Sequence, residues 1–193
     1  MPNLRAAIIL AAGSSSRFGR RDKLKARLNG QSLLDHVIAN ARASGACRIL
    51  LVTRSGQRRA GLTAVRLPAS EAISASLSAG LAALRPVERE ALIFLADMPF
   101  ARAPRLRVRP GKDAVRPRLR GQPGHPVLVR VKAAKAKLGQ GDQGLGRALR
   151  TAFVPGTSAH LLDVDTPAAL RRARLYGSHS RRSRSALDCP GRH

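Results

Sequence analysis

Residues 7–19 read Ala-Ile-Ile-Leu-Ala-Ala-Gly-Ser-Ser-Ser-Arg-Phe-Gly, a short apolar run set directly against a small-residue loop. An apolar run of this length bounded by turn residues reads as a buried strand. Gly13 and Gly19 permit close backbone approaches that a side chain blocks. The serines between them offer N–H groups and hydroxyls to an anion, and Arg17 and Lys23 add fixed positive charge. Open α/β sheets bind ligands at the carboxyl ends of their strands, so this stretch predicts a phosphate cradle at the end of a first strand.

The rest of the chain continues in the same idiom. Leu33, Leu34, Val37, Ile38 and Ala41 recur at helical spacing, after the turn pair Asn29-Gly30 and before Gly45, a C-terminal cap candidate. His36, among them, is expected on the helix surface. Ile49–Thr53 is a second buried strand and Val65–Leu67 a short one. Leu77, Leu81 and Leu84 mark a helix stopped by Pro86, and residues 91–96 form the most apolar strand of all. Strand, helix, strand in this order predicts a parallel sheet with right-handed crossovers. Further on, a strand is expected at 127–131, helices at 132–138 and 145–150, and a strand at 160–164 followed by a helix to about Tyr176.

The loop is neither a P-loop nor a dinucleotide fingerprint: its glycines are six apart, and Gly19 is followed by Arg20. Asp97 ends the most apolar strand, next to Pro99. A carboxylate there is desolvated at a cost unless a cation or hydrogen bonds compensate, and Mg2+, which takes oxygen ligands, is the natural partner. Ser74 and Ser76 suit either a helix cap or a pocket lining. Asp165 or Thr166 suits the cap of a helix whose first turn holds Pro167, and Asp142 suits the cap of the 145–150 helix. Residues 100–123 combine many arginines with four prolines, and read as a solvated basic loop or as a basic wall for an anionic substrate.

Several of these segments together resemble one family. Leu10-Ala11-Ala12-Gly13-Ser14-Ser15-Ser16-Arg17-Phe18-Gly19 with nearby Lys23 resembles L-A-A-G-x-S-x-R-x-G, the signature of the MobA-like nucleotidyltransferases. The run from Ser74 to Leu81 resembles the S-x-S-L-x-x-G-L segment of the molybdenum cofactor cytidylyltransferase branch. Leu95–Pro99 matches L-x-D-x-P, Gly124-His125-Pro126 matches G-H-P, and Asp163–Pro167 matches D-[IV]-D-T-P. The resemblance spans roughly residues 5–175. It implies an α/β, Rossmann-like three-layer domain of the nucleotide-diphospho-sugar transferase type, with a mostly parallel central sheet. The implied activity is transfer of CMP from CTP to the phosphate of molybdenum cofactor (molybdopterin), giving the cytosine dinucleotide and pyrophosphate.

The residue roles follow from the resemblance. Leu10, Ala11, Ala12, Gly13, Ser14, Ser15, Ser16, Arg17, Lys23, Ser74, Ser76 and Gly80 are expected at the nucleotide, with Arg17, Lys23 and Asp97 catalytic. His125 is expected at the acceptor, and Asp97 with Asp165 at Mg2+. Within the family the A-A-G loop goes with cytosine and A-G-G with guanine. Alternatives are a relative using GTP or another phosphorylated acceptor, and a non-catalytic carrier that hands the cofactor to a molybdoenzyme.

Composition bounds these expectations. A chain of 193 residues, 44% apolar, is long enough for one domain with a substantial core, here assigned to residues 1–176. Residues 177–193 are rich in Ser and Arg, lack apolar periodicity and read as a disordered tail. The net charge of +25 suggests anionic partners, yet no nucleic-acid motif accompanies it, and a triphosphate with a pterin phosphate is anionic too. Cys47 and Cys189 form no disulfide framework or zinc cluster. No run is long and apolar enough for a membrane span, and no signal-peptide pattern opens the chain, so a cytoplasmic enzyme is expected.

Overall fold

The computed structural model describes residues 4–13, 23–67, 73–103, 105–138 and 148–185. The apolar runs form strands β1 (Leu4–Leu10), β4 (Arg48–Thr53) and β6 (Glu88–Leu95) at the centre of a mixed sheet. The order is β10-β7-β9-β6-β1-β4-β5, with β5 at Thr63–Arg66, β7 at Ala114–Leu119, β9 at Val127–Arg130 and β10 at Thr151–Pro155. β1 pairs in parallel with both β4 and β6, β4 with β5, and β7 with β10. β9 runs antiparallel between β6 and β7. The short β8 (Gln122–Pro123) pairs with β7.

Both sheet faces are apolar because both are covered. Ile8, Leu50, Val52 and Ile93 meet Leu77, Leu81 and Leu84, carried by α2 (Ile73–Ala82) and the turn after it, and Val131 and Ala134 of α3 (Val131–Lys137). On the other face Ile9, Leu51, Leu92 and Phe94 meet Leu34, Val37, Ile38 and Ala41 of α1 (Leu33–Arg42). The three-layer α/β arrangement expected from the sequence is therefore the one observed. Strands buried on both faces read as continuous apolar runs, which is why they were legible.

A two-residue turn joins β2 (Arg27–Leu28) to β3 (Gln31–Ser32). Asn29 and Gly30 there have φ of 51° and 86°, the left-handed pair that tight hairpins require. Ser32 caps α1, its Oγ accepting from the Asp35 backbone N–H at 3.1 Å. His36 on α1 reaches back to the Leu28 carbonyl, 2.7 Å from its Nε2. A third cluster, Leu28, Leu33, Val164, Leu170 and Ala173, seats α4 (Pro167–Ser185) on the hairpin.

Three expectations need correction. β7 lies inside the region read as a basic loop. Its apolar residues, Val115, Pro117 and Leu119, alternate with Ala114, Arg116 and Arg118, and the arginines masked that period. The strand expected at 160–164 is absent; a 3-10 turn (Ser158–His160) and irregular chain occupy that stretch, and β10 comes earlier, at Thr151–Pro155. α4 does not end at Tyr176 but continues to Ser185, through Gly177. The 139–147 stretch, with Asp142 and most of the expected 145–150 helix, lies outside the described residues.

Candidate active site

Lys23 stands on a 3-10 turn (Lys23–Lys25) just after the glycine loop, and its side chain is only 9% exposed. Its Nζ donates to Asp97 Oδ2 at 2.9 Å and to Asp165 Oδ1 at 2.7 Å. Three residues separated by most of the chain thus meet at one point. Burial alone would lower the Lys23 pKa. The hydrogen bonds of Asp165 and Asp97 outweigh it and hold the group above its ordinary value, so the ammonium is charged.

Each member is placed by an element end. Asp97 follows β6 at its carboxyl end, where Ala96 N–H donates to the Leu10 carbonyl at 3.1 Å and ties the two strand ends together. The Asp97 carbonyl accepts from Val164 N–H at 2.9 Å, which draws the 163–165 segment alongside. Thr166 caps α4, its Oγ1 accepting from Ala169 N–H at 3.1 Å. The cap role left open between Asp165 and Thr166 therefore falls to Thr166, and Asp165 turns to Lys23.

Beside this cluster is a cavity of about 70 Å3 lined by Leu10, Ala11, Ala12, Gly13, Lys23, Ser76 and Asp97, together with Leu24, Leu95 and Ala96. A Cβ built on Gly13 meets no atom of the described residues within 4 Å. Gly80 is different: a Cβ there would sit 2.7 Å from Ile8 Cγ2 and 3.2 Å from Val52 Cγ2. Gly80 therefore sits at the α2–sheet contact, where a side chain would have to displace Ile8 and Val52. α2 begins at Ile73, so Ser74 and Ser76 lie inside the helix; Ser76 is buried against the cavity and Ser74 is exposed. Ser14, Ser15, Ser16 and Arg17 lie outside the described residues.

His125 sits apart from that cavity, in the turn before β9, and makes a backbone hydrogen bond with Ile93 of β6. Its Nδ1 is buried without a partner among the described residues. Burial first, and then the charge of Arg116, push its pKa down to about 4, so the ring is neutral at physiological pH.

Sequence reasoning passed over Asp163. Burial, and then the charges of Asp165 and Asp97, raise its pKa, which places a third carboxyl beside the two that hold Lys23. The signal was the D-x-D alternation, which puts two carboxyls within one short stretch.

The donor set fits a hard divalent cation. Asp97 Oδ1 is buried without a hydrogen-bond partner among the described residues, and both pairing carboxylates are oxygen donors. Among the described residues no group of three His, Cys, Asp or Glu is placed to hold a metal by itself. Two carboxylates plus water and substrate oxygens is how Mg2+ is usually held.

The model of the MobA-like NTP transferase domain matches residues 7–160. The chain belongs to this nucleotidyltransferase family. Among curated proteins no sequence matches. Solved structures similar to this MobA-like domain include Rv0371c from Mycobacterium tuberculosis H37Rv, at 24% identity and TM-score 0.74, covering 91% of this chain and 100% of that one. A second crystal structure of Rv0371c is a manganese complex, 22% identical with TM-score 0.67 over 89% of this chain and 98% of that one. Molybdopterin-guanine dinucleotide biosynthesis protein A from Archaeoglobus fulgidus is 19% identical, with TM-score 0.62 over 91% of this chain and 100% of that one. At these identities the likeness shows the fold. No helix among the described residues is long and apolar enough to cross a membrane.

Proposed function

We propose that this MobA-like domain transfers CMP from CTP to the phosphate of molybdenum cofactor, releasing pyrophosphate. The observation that carries the reading is Lys23 held between Asp97 and Asp165 at the mouth of the Gly13 cavity. The A-A-G form of the loop favours cytosine.

In this reaction an acceptor phosphate oxygen attacks the α-phosphorus. A new P–O bond forms, the bond to the β-phosphate oxygen breaks, and pyrophosphate carries away the electron pair. Such transfer depends on positioning and on neutralising charge rather than on a protein nucleophile. The open backbone at Gly13 receives the triphosphate, with Ser14 to Ser16 and Arg17 extending the cradle. Lys23, whose side chain is 9% exposed, presents N–H donors to charge that develops at the α-phosphate. Asp97 and Asp165 hold Nζ in position and are the residues that would hold Mg2+. The cation, when bound, supplies charge neutralisation across the triphosphate.

The test is pyrophosphate release by the full chain with Mg2+, molybdenum cofactor and each nucleoside triphosphate in turn. Release with CTP alone is expected. Release with GTP alone would transfer the reading to a guanylyltransferase, which the likeness to the Archaeoglobus protein favours as second choice. Absence of release with every triphosphate would overturn the catalytic reading in favour of a cofactor carrier.

A further inference from the structure

The sheet face that carries α2 and α3 is unevenly covered. α2 lies over β1 and β4, and α3 over β6 and β9. Among the described residues neither helix packs on β10 at the end of this face: Phe153 of β10 is 46% exposed, while its neighbours Ala152 and Val154 pack into the core on the opposite face. Ala114 of β7 belongs to the α2–α3 side, so Arg116 and Arg118 project there by alternation. Arg116 is in register with Phe153, and the Arg118 guanidinium carbon lies 4.7 Å from the Phe153 ring centre.

Arg116 stands out among the basic residues. Arg5, Arg48, Arg59 and Arg150 each pair with a carboxylate. Arg116 is half-buried, has no carboxylate partner among the described residues, and makes one side-chain hydrogen bond, from Nε to the Gly124 carbonyl at 2.8 Å. Burial alone lowers its pKa, with no acid offsetting it. A half-buried cation without a counter-ion among the described residues carries a desolvation cost, and an anionic ligand offsets it.

Its position points to the active site. His125, whose ring feels the Arg116 charge, bonds to the Ile93 backbone on β6. Two residues further along β6, Leu95 lines the Gly13 cavity, followed by Asp97. With β9 between them, β7 and β6 are about 10 Å apart, a span that a small organic phosphate can bridge.

We propose that this open strip is the acceptor subsite, where Arg116 binds the anionic group of a phosphate monoester and Phe153 supports a planar ring. The proposal rests on the nucleotidyl-transfer reading and names the residues that select its acceptor.

The test is calorimetric titration of the full chain, loaded with CMP, with inorganic phosphate and with 6-hydroxymethylpterin monophosphate. Arg116→Gln weakens both by tenfold or more and leaves CTP affinity within twofold. Arg89→Gln, which removes the same charge from an exposed position, changes neither, so general attraction to a basic chain is separated from a built site. Phe153→Ala weakens the pterin ester and spares inorganic phosphate. Arg116→Lys keeps the charge but loses the planar fork, and should fall between wild type and Arg116→Gln; it carries the test if Arg116→Gln fails to fold. Unchanged phosphate affinity in Arg116→Gln, an equal loss from Arg89→Gln, or an equal loss of CTP would each overturn the proposal. If wild type releases no pyrophosphate yet shows Arg116-dependent phosphate binding, the transferase reading fails and the anion subsite stands.

Discussion

His125 gives the sharpest quantitative expectation. In the folded chain its pKa is pushed down from 6.5 to about 4, by burial and by Arg116. The unfolded chain therefore takes up a proton first as pH falls. Above pH 6.5 the imidazole is neutral in both states and costs nothing. Between 6.5 and 4 the unfolded state binds more protons, so stability falls as pH falls. A difference of this size amounts to about 3 kcal/mol once complete, at about 1.4 kcal/mol per unit. Most of it, about 2 kcal/mol, is lost between pH 7 and pH 5. The perturbation is His125→Gln, which cannot titrate. The assay is urea unfolding of both proteins across pH 4.5–7.5, with the difference in unfolding free energy plotted against pH, so that carboxylates common to both cancel. The variant should be relatively more stable at low pH, by about 2 kcal/mol at pH 5 compared with pH 7. A difference that stays flat to within about 0.5 kcal/mol, close to the usual additivity error, refutes the reasoning; so would an imidazole resonance titrating near pH 6.5.

Four more expectations are open to measurement. Lys23→Ala should cut pyrophosphate release about 10^2–10^3-fold, the usual loss for one preorganised donor, and its melting temperature should rise more with added Mn2+ than the wild type's, because two carboxylates are left without their ammonium. Asp97→Asn should flatten the Mg2+ dependence of turnover without unfolding the chain. Gly80→Ala should cost about 1–2 kcal/mol, overpacking against Ile8 and Val52 less the gain in helix propensity, with nucleotide KM unchanged, whereas Gly13→Ala should spare stability and weaken CTP binding. Glu88→Gln should cost about 3 kcal/mol in thermal or urea melts, since Glu88 is 3% exposed and its carboxylate accepts from Arg48 at 2.7 and 2.6 Å. Folding also depresses the Glu88 pKa, chiefly through the Arg48 hydrogen bonds, so this contribution is present above the ordinary carboxylate range and is lost on acidification.

Local rules made the central elements readable. β1, β4 and β6 are buried on both faces, so each appears as an unbroken apolar run. α1 shows its apolar stripe, its Ser32 cap and its Asn29-Gly30 hairpin in plain spacing. β7 was hidden because its arginines share one open face, and β10 because a five-residue half-exposed strand has little periodicity to detect. Lys23, Asp97 and Asp165 could each be picked out by residue type and motif. That one ammonium joins both carboxylates, that Thr166 rather than Asp165 caps α4, and that Gly80 packs against Ile8 and Val52 are all outcomes of the crossovers. Residue types and their spacing are enough to say which side chains carry charge and which runs must be buried. Which charges meet follows from the assembled sheet, because pairing between residues 74 and 142 positions apart is set by strand order and register, and no local period encodes these.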